Sequence, residues 1–209
     1  MGEKVDLHSA IFHLMGNLMC AIDVETTGRV PGYHEIIQIA VQPLDSDLNV
    51  LQGIVPFYTE MAPEYPKRAE RSATKIHGLD LNHICQYAPN QLKAADMFDE
   101  WFQRLGLPLN KRIVPLAHNW AFEKGMLLPW LGIDAYEDMF HVHPRDSMQL
   151  AIAINDRHTF RCQPRPWASV SLKSLCEHLG IVNEKPHDAL CDARAEAQVY
   201  RQLLLHSVM

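Results

Sequence analysis

The chain of 209 residues has no run of 18 apolar residues, so nothing in it reads as a membrane span. It has no CxxC pair, and its five cysteines (Cys20, Cys85, Cys162, Cys176, Cys191) are odd in number and widely scattered. The opening MGEKVDLHSAIF places charges and His where a secretory leader needs an unbroken apolar stretch. The expectation is therefore a cytoplasmic protein with reduced thiols. Basic residues are also in short supply: 19 Lys and Arg against 25 Asp and Glu give a formal charge of −6, with 12 His neutral. That excludes a polycation coating nucleic acid by bulk charge and leaves a protein whose acidity is concentrated at one place. Internal repeats and low-complexity tracts are absent too. What is present, 47% hydrophobic and 21% charged residues, is ordinary for one folded domain able to bury its own core.

Residues 18–22 (LMCAI) are an apolar run halted by Asp23, which predicts a buried strand whose polar end opens a site. Residues 34–44 and 50–58 are two further strands, joined as a hairpin by the turn chemistry of Asp45-Ser46-Asp47. A Pro- and charge-rich surface loop covers residues 61–71. Residues 90–105 set Leu92, Ala95, Phe98, Phe102 and Leu105 at helical steps. Residues 112–117 read as a strand, with Pro115 pointing to an edge or irregular position. Helices follow over 122–131, 147–154 and 171–179, the last closed by Gly180, with a short strand at 140–142. Residues 188–205 are the clearest helix, capped by Asp188. This order predicts an α/β sheet layered with helices. Residues 18–209 form the single domain, and residues 1–17 a short N-terminal extension open to helix.

Three stretches carry chemistry. In Asp23-Val24-Glu25 the i, i+2 spacing puts both carboxylates on one face of a strand, a donor pair suited to Mg²⁺ or Mn²⁺. DxE is a common accident, but here an apolar run precedes it and Thr26-Thr27-Gly28 follows, where backbone can approach a ligand. In Pro186-His187-Asp188-Ala189-Leu190-Cys191-Asp192, Asp192 falls one turn into a helix while His187 stays in the loop before it. That suits a metal ligand beside a general base, with Asp188 as a cap. In His118-Asn119-Trp120-Ala121-Phe122-Glu123, Glu123 falls one turn into a helix that follows a strand. An exposed Glu is the commoner outcome there.

In order and spacing, DxETTG, HNxxFE and HDAxxD together resemble the DEDDh branch of the DEDD superfamily of 3′–5′ exonucleases, which includes the proofreading subunit of the bacterial replicative polymerase. Segments between the motifs match as well: EIIQIA (35–40), ATKIHGL (73–79), Arg145-Asp146-Ser147 and SLKSLCEHLGI (171–181). The resemblance runs from about residue 18 to residue 204. It implies a ribonuclease H-like fold, a mixed sheet flanked by helices. Asp23, Glu25, Glu123 and Asp192 take the places of the metal-binding carboxylates, for two Mg²⁺ or Mn²⁺ ions per site, and His187 that of the general base. A His five residues before the last Asp marks this branch. The sister branch has Tyr four residues before it, where this chain has Asp188. Glu123 departs from the family's usual Asp, as do related viral exonucleases, and adds one methylene to the reach of the carboxylate.

The resemblance also implies single-stranded DNA or RNA 3′ ends as substrate, with Thr26, Thr27, Gly28, His77 and Asn119 on the substrate side. For His77 a packing role is the equal alternative. Lys67, Arg68, Arg71 and Lys75 form a local basic stretch that is either a strand-binding patch or a solvated loop. Trp120 is open between base stacking and core, whereas Phe122 reads as core, His141 and His143 as structural or exposed, and Asp146 as structural. A polymerase or repair protein remains open as a partner, as does an RNA-specific processing role or a non-catalytic relative. Only 17 residues follow Asp192, enough to finish one helix, which leaves residues 1–17 open as an alternative tether for such a partner. If four carboxylates belong to one metal site, 19 basic residues face 21 acidic ones elsewhere. The contact with nucleic acid is then expected to be short, end-on and metal-bridged.

Overall fold

The computed structural model describes residues 14–206, so the helical reading of residues 1–13 falls outside the described residues. The described residues form a five-stranded sheet of order β3-β2-β1-β4-β5. Its strands are β1 (Leu18–Thr26), β2 (Ile36–Pro43), β3 (Phe57–Glu60), β4 (Ile113–Ala117) and β5 (Arg145–Asp146). β1 to β3 run antiparallel in sequence, while β4 and β5 lie parallel to β1. The helices are α1 (Arg71–His77), α2 (Leu81–Tyr87), α3 (Gln91–Arg104), α4 (Trp120–Leu131), α5 (Ile133–Met139), α6 (Ser147–Phe160), α7 (Leu172–Leu179) and α8 (Ala189–His206). This is the mixed, helix-flanked α/β sheet expected. No helix among the described residues is long and apolar enough to cross a membrane.

Alternation along β1 sets the two sides of the molecule. Leu18, Cys20, Ile22 and Val24 pack into a core with Phe98 and Trp101 of α3 and Met126 and Leu127 of α4. Met19 and Ala21 face the other way, against Ala189, Ala193 and Ala197 of α8. Alanines four residues apart make a flat helical face, which lets α8 lie close on the sheet. Asp23 and Glu25 continue the Met19–Ala21 face, so strand period alone turns both carboxylates toward α8. The other side of α8, through Val199 and Leu203, packs on α6 and α7.

Several boundaries differ from the sequence reading. β1 runs past its apolar stretch and, as the i, i+2 reading of Asp23 and Glu25 requires, carries both acids within the strand, because β2 pairs with it as far as Thr26. β3 is limited to Phe57–Glu60, and residue 50 contributes only an isolated bridge to Leu44. Asp45 does make the turn, accepting from the Asp47 and Asn49 N–H groups at 2.9 and 2.8 Å. Pro115 sits in a strand with neighbours on both sides. Ile113 accepts from His141 N–H on the β5 side, so alternation aims the missing donor of Pro115 to that side, where β5 is two residues long. Phe140 makes a single bridge to Ile113 instead of a strand, and α5 precedes it. α6 runs on past residue 154 because Asn155 turns inward and pairs with both backbone groups of Trp167. On α3 the buried stripe is Ala94, Phe98 and Trp101, and Leu92 is 79% exposed. Asn90, Ser171 and Gly180 do cap their helices.

Candidate active site

Five acidic side chains from three elements meet beside the end of β1. Asp23 and Glu25 come from the strand, Glu123 from the first turn of α4, and Asp192 and Glu196 from successive turns of α8. A register shift between Glu25 and Thr26 bends the strand where its acids project, as bulges beside sites commonly do. Donor atoms of Glu25, His187 and Asp192 lie within 4.8 Å of one another. Glu123 is buried, with Oε2 lacking any partner.

The charges are set against one another. Burial, then Asp192, Glu25 and Asp188, push the Asp23 carboxyl well above the usual carboxylate range. Burial and Asp192 raise Glu25 to about 7. Glu123 is raised by burial and by Asp23, and Glu196 by burial, Asp23 and Glu123. Burial raises Asp192 too, opposed by hydrogen bonds from the Asn183 side chain and the His187 backbone N–H, the latter at 3.0 Å. Buried carboxylates that repel one another are unstable as bare anions, and hard divalent cations relieve both costs. Carboxylate oxygens beside one imidazole, with an orphaned buried oxygen on Glu123, fit such a cation.

Local folding explains each placement. Asn119 has left-handed backbone (φ 86°), and Asp146 at the end of β5 accepts from the Asn119 and Trp120 N–H groups at 3.3 and 2.8 Å. That fixes the start of α4 and hence Glu123. Asp146 also caps α6 through the Gln149 N–H, a structural role. At the other end of the site Gln38 accepts from Ala189 N–H at 2.9 Å, and Tyr58 donates to Asp188 at 2.8 Å. The start of α8 is thereby tied to β2 and β3. Asp188 also accepts from the Cys191 N–H, as a cap should, and from Lys185. Burial works against its charge, yet Lys185 and Tyr58 hold its carboxyl below the usual range. His187 stays exposed in the loop with left-handed backbone (φ 66°).

The structure separates the weaker candidates. Thr26 and Thr27 are buried with their hydroxyls committed to backbone: Thr26 donates to Gly28 O at 2.7 Å, and Thr27 accepts from Glu35 N–H at 2.9 Å. Gly28 is needed for packing, since a β-carbon there would lie 2.5 Å from the His34 ring. His77, at the end of α1, is lowered by burial and then by the nearby charge of His187, so it borders the site. Trp120 is 6% exposed and packs in the core against Phe140, which decides between its two readings. The basic stretch divides: Arg68 stacks between the rings of Tyr33 and Tyr65 at 4.8 and 3.8 Å, while Lys67, Arg71 and Lys75 are exposed. His143 is exposed and His141 half-buried, its Nδ1 accepting from the His143 N–H. Sequence reading misses Asn183, Tyr58 and Glu196. For Glu196 a signal existed, an acid one turn beyond Asp192 in a helix otherwise built on Ala and Leu.

The model of the RNase T family, described as Exonuclease, matches residues 20–200. The chain belongs to this exonuclease family. Its ribonuclease H-like fold agrees with that of the solved structures it resembles. One is E. coli exonuclease I in a zinc-bound complex with single-stranded DNA, 20% identical over 92% of this chain and 41% of that one, at a TM-score of 0.71. Another is the nuclease domain of 3′hExo, a DEDDh family member bound to rAMP, 17% identical over 91% of this chain and 92% of that one, at a TM-score of 0.62. At these identities the likeness is one of fold. The chain spans less than half the length of the exonuclease I chains it matches. No match is found among curated proteins.

Proposed function

We propose that this exonuclease-family chain is a divalent-metal-dependent 3′–5′ exonuclease acting on single-stranded ends of DNA or RNA. The observation that carries the reading is the closeness of Glu25, His187 and Asp192, whose donor atoms lie within 4.8 Å of one another, with Asp23 and Glu123 near enough for their charges to act on the same cluster. Those four carboxylates would hold Mg²⁺ or Mn²⁺. Two such ions, when bound, supply Lewis acidity to the attacking water and to the leaving oxygen. His187, exposed beside Glu25 and Asp192, takes the proton from the attacking water. The half-buried Asn119 and His77 border the entry for the terminal nucleotide, while Thr26 and Thr27 contribute backbone there, their hydroxyls being engaged. Lys67, Arg71 and Lys75 offer a few phosphate contacts, in keeping with end binding of a short strand. Oligonucleotides labelled at the 5′ end test direction and substrate together. Ladders that shorten from the 3′ end with Mg²⁺ or Mn²⁺, and not with chelator, are expected, and metal-independent cleavage would sink the reading.

Two variants probe single groups. At saturating Mn²⁺, His187→Ala is expected to lower kcat by roughly 10²–10⁴-fold and to flatten the acid-side fall in kcat, since a protonated imidazole cannot accept a proton. A rate in the unaltered protein that stays flat between mildly acidic and neutral pH argues against His187 as base. Glu123→Asp withdraws the carboxylate by one methylene from a helix start that Asp146 holds in place. Because the backbone cannot follow, activity is expected to fall by about 10–100-fold with the fold intact. Equal or higher activity would show that the extra methylene is immaterial.

A further inference from the structure

No residue from 64 to 83 is buried, so this stretch, which includes α1, takes no anchor from the core. A stretch of that kind is among the first parts of a fold to open unless something else holds it. Polar contacts do so here, and they share one destination. Among the described residues, the hydrogen bonds and the ion pair that tie residues 64–79 to other parts of the chain all end on residues 27–35. The carboxylate of Glu35 accepts from two successive backbone N–H groups, Glu64 at 2.7 Å and Tyr65 at 2.8 Å, one on each oxygen. Arg68 donates to the Tyr33 carbonyl at 3.4 Å and lies over the rings of Tyr33 and Tyr65. Glu70 N–H donates to the Thr27 carbonyl at 2.8 Å, and the Glu70 carboxylate lies 3.5 Å from Nε2 of the buried His34. Nδ1 of His34 accepts from Val30 N–H, which leaves the proton of the neutral ring on Nε2, facing Glu70.

Both ends of this arm lie close to the acids. Thr27 follows Glu25 by two residues, and its N–H and hydroxyl are paired with the backbone of Glu35. The residue that grips the arm is thus itself fastened to the end of β1. At the far end of α1, His77 borders the site. Its Nδ1 accepts from Leu79 N–H at 3.0 Å, and its Nε2 is buried with no hydrogen-bond partner. That nitrogen is a donor without an acceptor, and the oxygens of a nucleotide supply one. We propose that Glu35 is a positioning residue for substrate binding: its carboxylate hangs the arm of residues 64–79 on the end of β1 and so presents His77 to the terminal nucleotide. Bonds from backbone N–H groups to a carboxylate are charge-assisted, and two of them on one side chain fix direction as well as distance. The consequence for binding rests on the exonuclease reading, whereas the clamp itself can be measured without substrate or metal.

The experiment compares Glu35→Leu, which keeps bulk but accepts no hydrogen bond, with Glu35→Gln, which keeps one acceptor oxygen. Amide exchange at Glu64 and Tyr65, with Ile39 of β2 as a core control, is read in the metal-free protein. The constants kcat and KM for a single-stranded oligonucleotide are read with Mn²⁺. Glu35→Leu is expected to speed exchange at Glu64 and Tyr65 by about 10-fold or more. Ile39 is expected to stay unchanged, because the two freed N–H groups belong to exposed residues and turn to water. With the arm docked for only about a tenth of the time, KM rises by about tenfold, while saturating substrate redocks it and leaves kcat within about threefold. Glu35→Gln is expected to fall between the unaltered protein and Glu35→Leu in both readouts. Unchanged exchange at Glu64 and Tyr65, or an equal rise at Ile39, overturns the clamp. Faster exchange with an unaltered KM, or a loss carried by kcat alone, overturns its role in binding. A Gln variant in which exchange and KM do not rise together overturns it too, and that comparison stands even where the Leu variant does not fold. If the unaltered protein cleaves nothing, the exonuclease reading fails, whereas the exchange data still decide the clamp.

Discussion

Asp23→Asn is expected to reduce 3′-end hydrolysis by at least ~10³-fold while raising the thermal midpoint of the metal-free protein by a few degrees, on the order of 2–4 °C per kcal/mol of relief. The two effects have one cause. Asp23 is the acid that touches the charge of every other: it is pushed up by burial, Asp192 and Glu25, and it in turn raises Glu123 and Glu196. Such a centre is the place where a cation gains most and where an empty site costs most. Asn keeps the shape and removes the charge, so repulsion falls throughout the cluster and the unliganded fold becomes easier to hold. Loss of the same charge removes a ligand shared by the site, and with it most of the stabilisation that divalent ions give to attacking and leaving oxygens. Melting curves with and without Mn²⁺, beside an end-labelled degradation assay, check both halves. Full activity in Asp23→Asn ends the mechanism. A drop in the metal-free midpoint would show that Asp23 serves as a structural hydrogen-bonding group rather than as one of a repelling set.

The parts of the fold legible in the sequence are those where one local rule suffices. The i, i+2 spacing of Asp23 and Glu25 put both on one face, and the structure sets that face against α8, continuing Met19 and Ala21. Asn90, Ser171 and Gly180 act as the helix caps their residue types suggest. What was hidden depends on partners far along the chain. Pro115 argues for an edge by itself. It is tolerated inside because β5 is so short that no acceptor waits for the missing donor. α5 was hidden because its seven residues follow closely on α4, across a glycine with positive φ. The candidate site shows the same division. The motif acids and His187 announce themselves by spacing, and the fold brings donor atoms of three of them, Glu25, His187 and Asp192, within 4.8 Å of one another. Glu196 does not, because its meaning comes from an amide 174 residues away in sequence. Gly28 shows the converse: a glycine read as room for a ligand is room for His34.

Stability of the metal-free protein is expected to fall as pH rises from about 4.5 to about 7, and saturating Mn²⁺ is expected to abolish that fall. Glu25 has an ordinary value of 4.5 and is raised to about 7 by burial and then by Asp192 and Asp188. Below 4.5 the folded and unfolded chains both carry the proton, so this group adds no slope. Between 4.5 and 7 the folded chain keeps a proton that the unfolded chain has released, and each step up in pH therefore favours unfolding. Above 7 both are ionised and the penalty is complete, on the order of 3 kcal/mol for Glu25. That corresponds to a midpoint lower by roughly 6–12 °C at pH 8 than at pH 5. Asp23, Glu123, Asp192 and Glu196 are raised as well and steepen the same slope. Asp188, held low by Lys185 and Tyr58, acts oppositely, its stabilisation being lost only as pH falls through acid values. A divalent cation reverses the main trend because it binds the ionised carboxylates. Its affinity grows as they deprotonate, and binding to the folded chain alone adds stability where the bare cluster loses it. Calorimetric midpoints at pH 5, 6, 7 and 8, with chelator and with Mn²⁺, give the two curves. A metal-free midpoint that rises over this range, or a pair of parallel curves, would mean that these acids do not share one ion-binding site.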